Sequence, residues 1–246
     1  MQIINIKLFK WTIFPIVLLL LSTAAHALST AGKVIIYSGI VSAKSIDGKV
    51  RILSRKSKVF KKDIITTEQD SYARIRFTDG SLLVMRPNST ISIDEYYFNK
   101  KSPKKDKAVI NLLEGGLRTI TGLIGKRGNK DSYKTKTRHS SIGIRGTVYG
   151  VLMCQGSSCA GLSDNLRPEQ DGQYVNVSSG AIIIKNSAGT TPVKAGQFVF
   201  IPSTNSAVII IPKDPGGLRF VSPKATNSSR PAKEGYKAPQ DFSCQM

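Results

Sequence analysis

The chain has 246 residues, 40% of them hydrophobic, and 36 Lys and Arg against 16 Asp and Glu, a formal net charge of +20. That length holds one sizeable domain with extras rather than a string of domains. One histidine beyond residue 27 and no sustained helical periodicity argue against a helical bundle, a histidine-based nucleophile pair and a histidine-rich metal centre.

Residues 1–27 read as a secretory signal peptide. Lys7 and Lys10 give a positive start, Thr12 to Leu21 is an apolar core broken by Pro15, and Ala25-His26-Ala27 places small residues where a signal peptidase reads. The alternative is an uncleaved anchor, but the apolar run falls short of the ~20 residues needed to span a bilayer. Residues 28–211 are then expected to form the folded domain, in the periplasm or outside the cell.

Short strands are expected at Lys33 to Tyr37, Ile40 to Ser45 and Val50 to Leu53, with Asp47-Gly48 as a hairpin turn. A basic run, Arg55 to Lys62, precedes a strand at Asp63 to Thr67. Ser71 to Phe77 alternates Ala73, Ile75 and Phe77 with Tyr72, Arg74 and Arg76; Asp79-Gly80 turns the chain into Leu82 to Met85, and Ile91 and Ile93 begin the next strand. Ala108 to Leu113 is ambiguous between strand and helical turn and ends at Gly115-Gly116. Gly122, Gly125 and Gly128 punctuate the next segment. Tyr133 to Arg138 alternates again, with Lys134, Lys136 and Arg138 on one face about 7 Å apart.

Ser140 to Met153 is the least polar stretch beyond the signal segment and reads as a strand covered on both sides. Ile142, Ile144, Gly146, Val148, Gly150 and Leu152 share one face, expected to point to the core. Three glycines in one strand point to a bulge or a close backbone approach. Its single charge, Arg145, is expected to be buried and paired with Asp79, Asp94 or Glu95, or else to hold an anionic ligand. Cys154 and Cys159 are expected to form a short-loop disulfide in an oxidising compartment, leaving Cys244 free or available for an intermolecular bond. Further strands are expected at Gln173 to Val177, Ala181 to Lys185, Val193 to Lys194, Phe198 to Ile201 and Val208 to Ile211. Residues 212–246, rich in Pro, Ser and Lys, read as a disordered tail. Strands at this spacing predict an all-β fold, an antiparallel sandwich of jelly-roll type, with a β-solenoid as the alternative.

Three pieces of the sequence resemble the FecR domain family. They are Asp63-Ile64-Ile65-Thr66-Thr67 with Ser71 to Ser81, Leu113 to Arg118 with Thr121-Gly122, and Ile142-Gly143-Ile144-Arg145-Gly146-Thr147, similar to the family's Val-Arg-Gly-Thr signature. Together they cover about residues 32–155, and the strands from Gln173 to Pro202 fit more loosely. The chain departs where the family has Thr-Gly in the first turn (here Thr67-Glu68) and Thr-Pro before the signature strand (here Thr137-Arg138). The resemblance implies a β-rich envelope domain, with Asp79, Gly80, Arg145, Gly146 and Thr147 as structural residues. In the namesake proteins this domain relays iron-siderophore signals from an outer-membrane receptor to a sigma factor. Only about ten residues precede the apolar run here, so the anti-sigma role does not carry over.

No cofactor, metal or phosphate-loop pattern is present. Asp94 and Glu95 are adjacent and would point to opposite faces of a strand, so they do not make an acid–base pair. Charge is uneven: residues 28–150 hold 25 basic and 10 acidic groups, residues 151–246 hold 9 and 6. Such asymmetry concerns partners or solubility rather than fold. The expected function is a non-catalytic envelope binding module, contacting an envelope protein, an anionic polymer or a membrane surface without sequence-specific nucleic-acid binding. The candidate anion-binding residues are Lys134, Lys136 and Arg138. A periplasmic relay subunit acting with a separate membrane protein is the second reading, and a carbohydrate-acting enzyme a third. A continuous basic face would favour the first, a hydrophobic open sheet edge the second, and paired carboxylates in a groove the third. If the signal reading is right, mass spectrometry of the exported protein finds Leu28 at its N-terminus; a membrane-bound form retaining residues 1–27 would favour the anchor.

Overall fold

A computed structural model describes residues 29–127, 131–156, 158–159, 170–215 and 218. The signal segment, Cys244 and nearly all of the expected tail lie outside the described residues. In chain order the strands are β1 (Thr30–Ser38), β2 (Val41–Lys44), β3 (Val50–Ile52), β4 (Lys58–Phe60), β5 (Ile64–Thr67), β6 (Tyr72–Phe77), β7 (Leu82–Met85), β8 (Ser89–Tyr97), β9 (Lys107–Glu114) and β10 (Gly116–Ile120). A short helix, α1 (Leu123–Arg127), comes next. The remaining strands are β11 (Tyr133–Lys136), β12 (Ser141–Gln155), β13 (Ser158–Cys159), β14 (Gly172–Asn186), β15 (Gly189–Lys194), β16 (Phe198–Ile201) and β17 (Ile209–Ile211).

All seventeen strands join one curled sheet. One half runs β3-β2-β5-β8-β9-β11-β12-β14-β15 and the other β4-β1-β6-β7-β10-β12-β14-β16-β17. The long strands β12 and β14 belong to both. Their pairing of Ser141–Arg145 with Ala181–Lys185 continues the first half, and that of Val148–Cys154 with Gly172–Ser179 continues the second. The main core collects Val41, Ile65, Ile91 and Ile110 from one half and Val34, Ile75, Leu83 and Leu117 from the other. The all-β class is as the sequence implies. The pairing does not single out a jelly roll, because one sheet is continuous and β9 and β11 run parallel.

Local chemistry accounts for most elements. In β6 the alternation holds: Ala73, Ile75 and Phe77 are buried, and Tyr72, Arg74 and Arg76 face outward. β9 ends at Glu114 as expected, with Gly115 the tight link to β10. Three expectations change. The basic run 55–62 contains β4, whose Val59 is fully buried. The segment after Gly122 opens with α1. Ser178-Ser179-Gly180 bends β14 without reversing it, so two expected strands are one.

The largest correction concerns β12. Ile142 and Ile144 face the main core, but beyond the bend the core residues are Tyr149, Val151 and Met153, from the face opposite to the expected one. Gly146 has φ +63°, and pairing with β14 shifts between Arg145 and Val148. One extra residue at this bulge exchanges the faces. Leu152 and Cys154 instead join a second apolar cluster with Tyr174, Phe198, Phe200 and Leu218.

Tyr96, Tyr133 and Tyr149 are buried in the main core. Burial pushes the Tyr149 phenol up to about 12, eased by its contact with Thr135 at 2.6 Å. Burial also raises Tyr96 and Tyr133, each with further push from neighbouring acidic groups. A raised phenol contributes stability that is complete below its ordinary value near 10 and is lost as the pH climbs through the folded value. Absorbance at 295 nm should therefore show exposed tyrosines ionising first and the buried group ionising only with unfolding, above about pH 10. A single smooth titration with native circular dichroism retained past pH 12 would refute the buried placement.

Candidate functional site

The family-like motifs converge. The Asp79 carboxylate is buried and accepts from Ser81 N–H at 3.0 Å, Ser81 Oγ at 2.7 Å, Tyr96 Oη at 3.2 Å and Ile124 N–H at 3.2 Å. Gly122 N–H donates to Ser81 Oγ at 2.8 Å, and Leu123 N–H to the Asp79 carbonyl at 2.9 Å. Next in the chain, Thr121 Oγ1 accepts from Thr147 N–H at 2.8 Å and donates to the Thr147 carbonyl at 3.1 Å. Thr147 Oγ1 donates to the Ala181 carbonyl at 2.7 Å. Residues from the β6–β7 turn, the β10–α1 junction and the β12 bulge thus close one buried knot. A Cβ on Gly122 would collide with the Asp79 carbonyl and Ser81 N, so that approach requires glycine. Every polar group in the knot is satisfied inside the protein, which is chemistry for holding a fold rather than a ligand.

Arg145 is not buried. It stands exposed on the outer face of the sheet, opposite Ala181, and no carboxylate among the described residues pairs with it. The bulge turns Thr147 inward and leaves Arg145 outward. The three expected partners are engaged elsewhere. Asp79 is in the knot, Asp94 accepts from Ser92 Oγ, and Glu95 pairs with Lys107 Nζ at 2.8 Å. The hydrogen bond from Lys107 holds the Glu95 carboxyl below its ordinary range.

The three candidate anion-binding residues part company. Lys134 Nζ pairs with Asp131 Oδ1 at 3.1 Å, and that hydrogen bond, before the general field of Lys134 and Lys185, lowers the Asp131 carboxyl. Lys136 ends β11, and Arg138 lies in the turn to β12 rather than on the strand face. Lys136 and Arg138 nevertheless line one open cleft of about 410 Å³, with Thr137, His139, Ser140, Ser141, Lys185, Asn186, Ser187 and Thr204. Sequence reading missed Lys185, Asn186 and Thr204. Register brings them there: Ser141 pairs with Lys136 on one side and Lys185 on the other. The turn is braced from behind, because Thr137 Oγ1 and Ser140 Oγ both donate to Oε1 of the buried Gln173, at 2.7 and 3.0 Å. Thr204 Oγ1 donates to the Arg138 carbonyl at 2.9 Å. His139 Nδ1 lies 3.3 Å from the Ile201 carbonyl, so the proton of that bond sits on Nδ1.

Cys154 and Cys159 are joined, tying β12 to β13. At the far end of the first half-sheet, β3 pairs only with β2 among the described residues. There Ile46, Val50, Ile52 and Ile64 are 70%, 58%, 56% and 38% exposed, an apolar patch at an open edge. Among the described residues no group of His, Cys, Asp and Glu is placed to hold a metal, and no helix is long and apolar enough to cross a membrane.

Residues 63–182, from the start of β5 to the middle of β14, match the family described as FecR protein. No curated protein matches the chain. Among solved structures, two crystal structures of a "putative anti-sigma factor" from Parabacteroides distasonis ATCC 8503 align at 12% identity and TM-score 0.43, over 61% of this chain and 60% of theirs. The chain thus spans about three fifths of their length. A "cell surface anchoring domain" aligns at 26% identity and TM-score 0.25, over 25% of this chain and 82% of that one.

Denaturant titration separates the two kinds of signature residue. Asp79→Ala strands several buried donors and should cost about 3–5 kcal/mol. Arg145→Ala, exposed and without a carboxylate partner, should stay within about 0.5 kcal/mol of the parent. Comparable losses for both would contradict the placement of Arg145.

Proposed function

We propose that this chain, whose residues 63–182 form a FecR domain, is a non-catalytic interaction module of the cell envelope. It acts in relay fashion through a separate protein, whose extended segment adds as a strand alongside β3. The observation that carries this reading is the apolar open edge, where Val50 and Ile52 project from the outermost strand with Ile46 and Ile64 beside them.

An edge strand presents unpaired N–H and C=O groups, and proteins commonly guard such edges with charge or proline. Two other edges are guarded in that manner, β4 by Lys58 and β15 by Pro192 and Lys194, whereas β17 (Ile209–Ile211) is apolar like β3 but lacks its wider patch. The β3 edge has its one charge, Arg51, drawn toward the buried Asp63. Strand addition supplies main-chain hydrogen bonds, while outward side chains such as Val50 and Ile52 select the partner. Lys44, in register between Val50 and Ile64, favours a segment that is neutral or acidic. The FecR domain supports a role in signalling; Asp79 and Thr147 of its signature are occupied in the knot, while Arg145 stands outside it. Asp94 and Glu95, the carboxylates an enzyme reading would need, are bound to Ser92 and Lys107.

A photo-crosslinker placed at Val50 in cells of the producing organism should trap one discrete protein, and Ile52→Lys should abolish the adduct while leaving the melting temperature unchanged. An adduct that persists in the Ile52→Lys background, or none in the parent, would overturn the proposal.

A further inference from the structure

We propose that the cleft between the β11–β12 turn and the end of β14 binds an anionic saccharide, with Lys136 and Lys185 holding its acidic group and Ser141, Ser187 and Asn186 meeting its ring hydroxyls. This goes beyond the strand-addition reading and uses a different surface.

The charge pattern comes first. Lys136, Arg138, His139 and Lys185 line the cleft and no carboxylate does. Asp131, a carboxylate that feels Lys185, is paired with Lys134. Lys136 and Lys185 flank Ser141 across three neighbouring strands, which sets their backbones about 10 Å apart. Flexible ammonium groups at that separation can close on one sulfate, phosphate or carboxylate from both sides with charge-assisted hydrogen bonds. Arg138 is tied to Gln155 Oε1 and stands at the rim rather than inside that pair.

The rest of the lining decides which bearer of the anion fits. Among the lining hydroxyls those of Thr137 and Ser140 are turned to Gln173 and that of Thr204 donates to the Arg138 carbonyl, so Ser141 and Ser187 are left to meet a ligand beside Asn186, an amide whose Nδ2 donates to the Ser206 carbonyl at 2.7 Å. No large aliphatic side chain lines the cleft, so nothing would receive an acyl chain. No Phe, Tyr or Trp lines it either, so no ring is present on which a base of a single strand could stack. Hydroxyl-rich walls beside two lysines suit a polyhydroxylated ligand carrying a fixed negative charge. A volume of about 410 Å³ lies within the range of small-ligand sites. The walls are also held in place without a ligand. Gln173 braces Thr137 and Ser140, Ser187 N–H donates to the Thr204 carbonyl at 3.1 Å, and Thr204 fixes Arg138.

The test is isothermal titration of the full chain with a heparin-derived tetrasaccharide at low salt, using a variant pair with equal charge loss. Lys136→Ser/Lys185→Ser empties the cleft of its lysines; Lys101→Ser/Lys104→Ser removes two charges elsewhere. All four positions are exposed, so folding is checked by an unchanged melting temperature. The cleft variant should bind about tenfold more weakly, the loss of two charge-assisted contacts, and the control should differ little from the parent. Equal weakening in both variants would mean a diffuse effect of net charge and would overturn the site. So would no binding by the parent, or cleft-dependent binding of a single-stranded oligonucleotide or of phosphatidylglycerol vesicles at the same strength.

Discussion

One reciprocal contact, between Thr121 and Thr147, governs the rest of the structure. The Thr147 amide donates to the Thr121 hydroxyl and that hydroxyl donates back to the Thr147 carbonyl, at 2.8 and 3.1 Å, with both residues buried. The contact pins the bulge of β12 against the end of β10. Because β12 and β14 run through both half-sheets, the bulge sets which face of each strand is inside on either side of it. Without an acceptor for the Thr147 amide, a buried donor would be stranded at a cost of about 1–3 kcal/mol. The strand pairing on both sides would also lose its fixed offset.

The knot beside it shows how a buried carboxylate is tolerated. Among the described residues Asp79 has no cation paired with it. Its oxygens are filled by two amides and two hydroxyls, each neutral. Buried charge without such donors is very costly. Tyr96 both accepts from the Asp79 amide at 3.0 Å and donates to its carboxylate, so its raised phenol must stay protonated for the arrangement to hold. Two equally buried carboxylates take the other solution, each met by an arginine that is itself partly exposed. Asp106 accepts from Arg127 at 3.1 Å and from the Asn99 amide at 2.9 Å, and Asp63 meets Arg51. Cations serve where their long stems can still reach water, and neutral donors serve at the centre.

Elements whose signal is local were legible in the sequence. The alternation of β6, the Asp79-Gly80 turn and the short loop between Cys154 and Cys159 each depend on a few adjacent residues. What failed depends on partners far along the chain. Gly146 was visible as a bulge candidate, but only its pairing with β14 reveals that Tyr149 rather than Val148 faces the core. Arg145 was read as buried because its neighbours are apolar; the bulge that turns Thr147 inward keeps the arginine outside. Lys134, Lys136 and Arg138 share a period but not an environment, since one is paired, one is on the strand and one is in a turn. Lys185 joins them through strand register, which no local pattern encodes.

That register also explains why a row of like charges is tolerable. Lys136 and Lys185 are separated by the strand bearing Ser141, about two strand spacings or 10 Å, close to the Debye length at physiological salt. Both side chains are exposed, so neither pays a desolvation penalty and their mutual repulsion is largely screened. An insertion or deletion that slipped β12 by one residue would turn Ser141 inward and move the lysines out of line. The knot that fixes the β12 bulge therefore also fixes the spacing of two lysines far from it on the surface. A buried residue such as Thr121 can in this way set the spacing of two surface lysines through strand register alone.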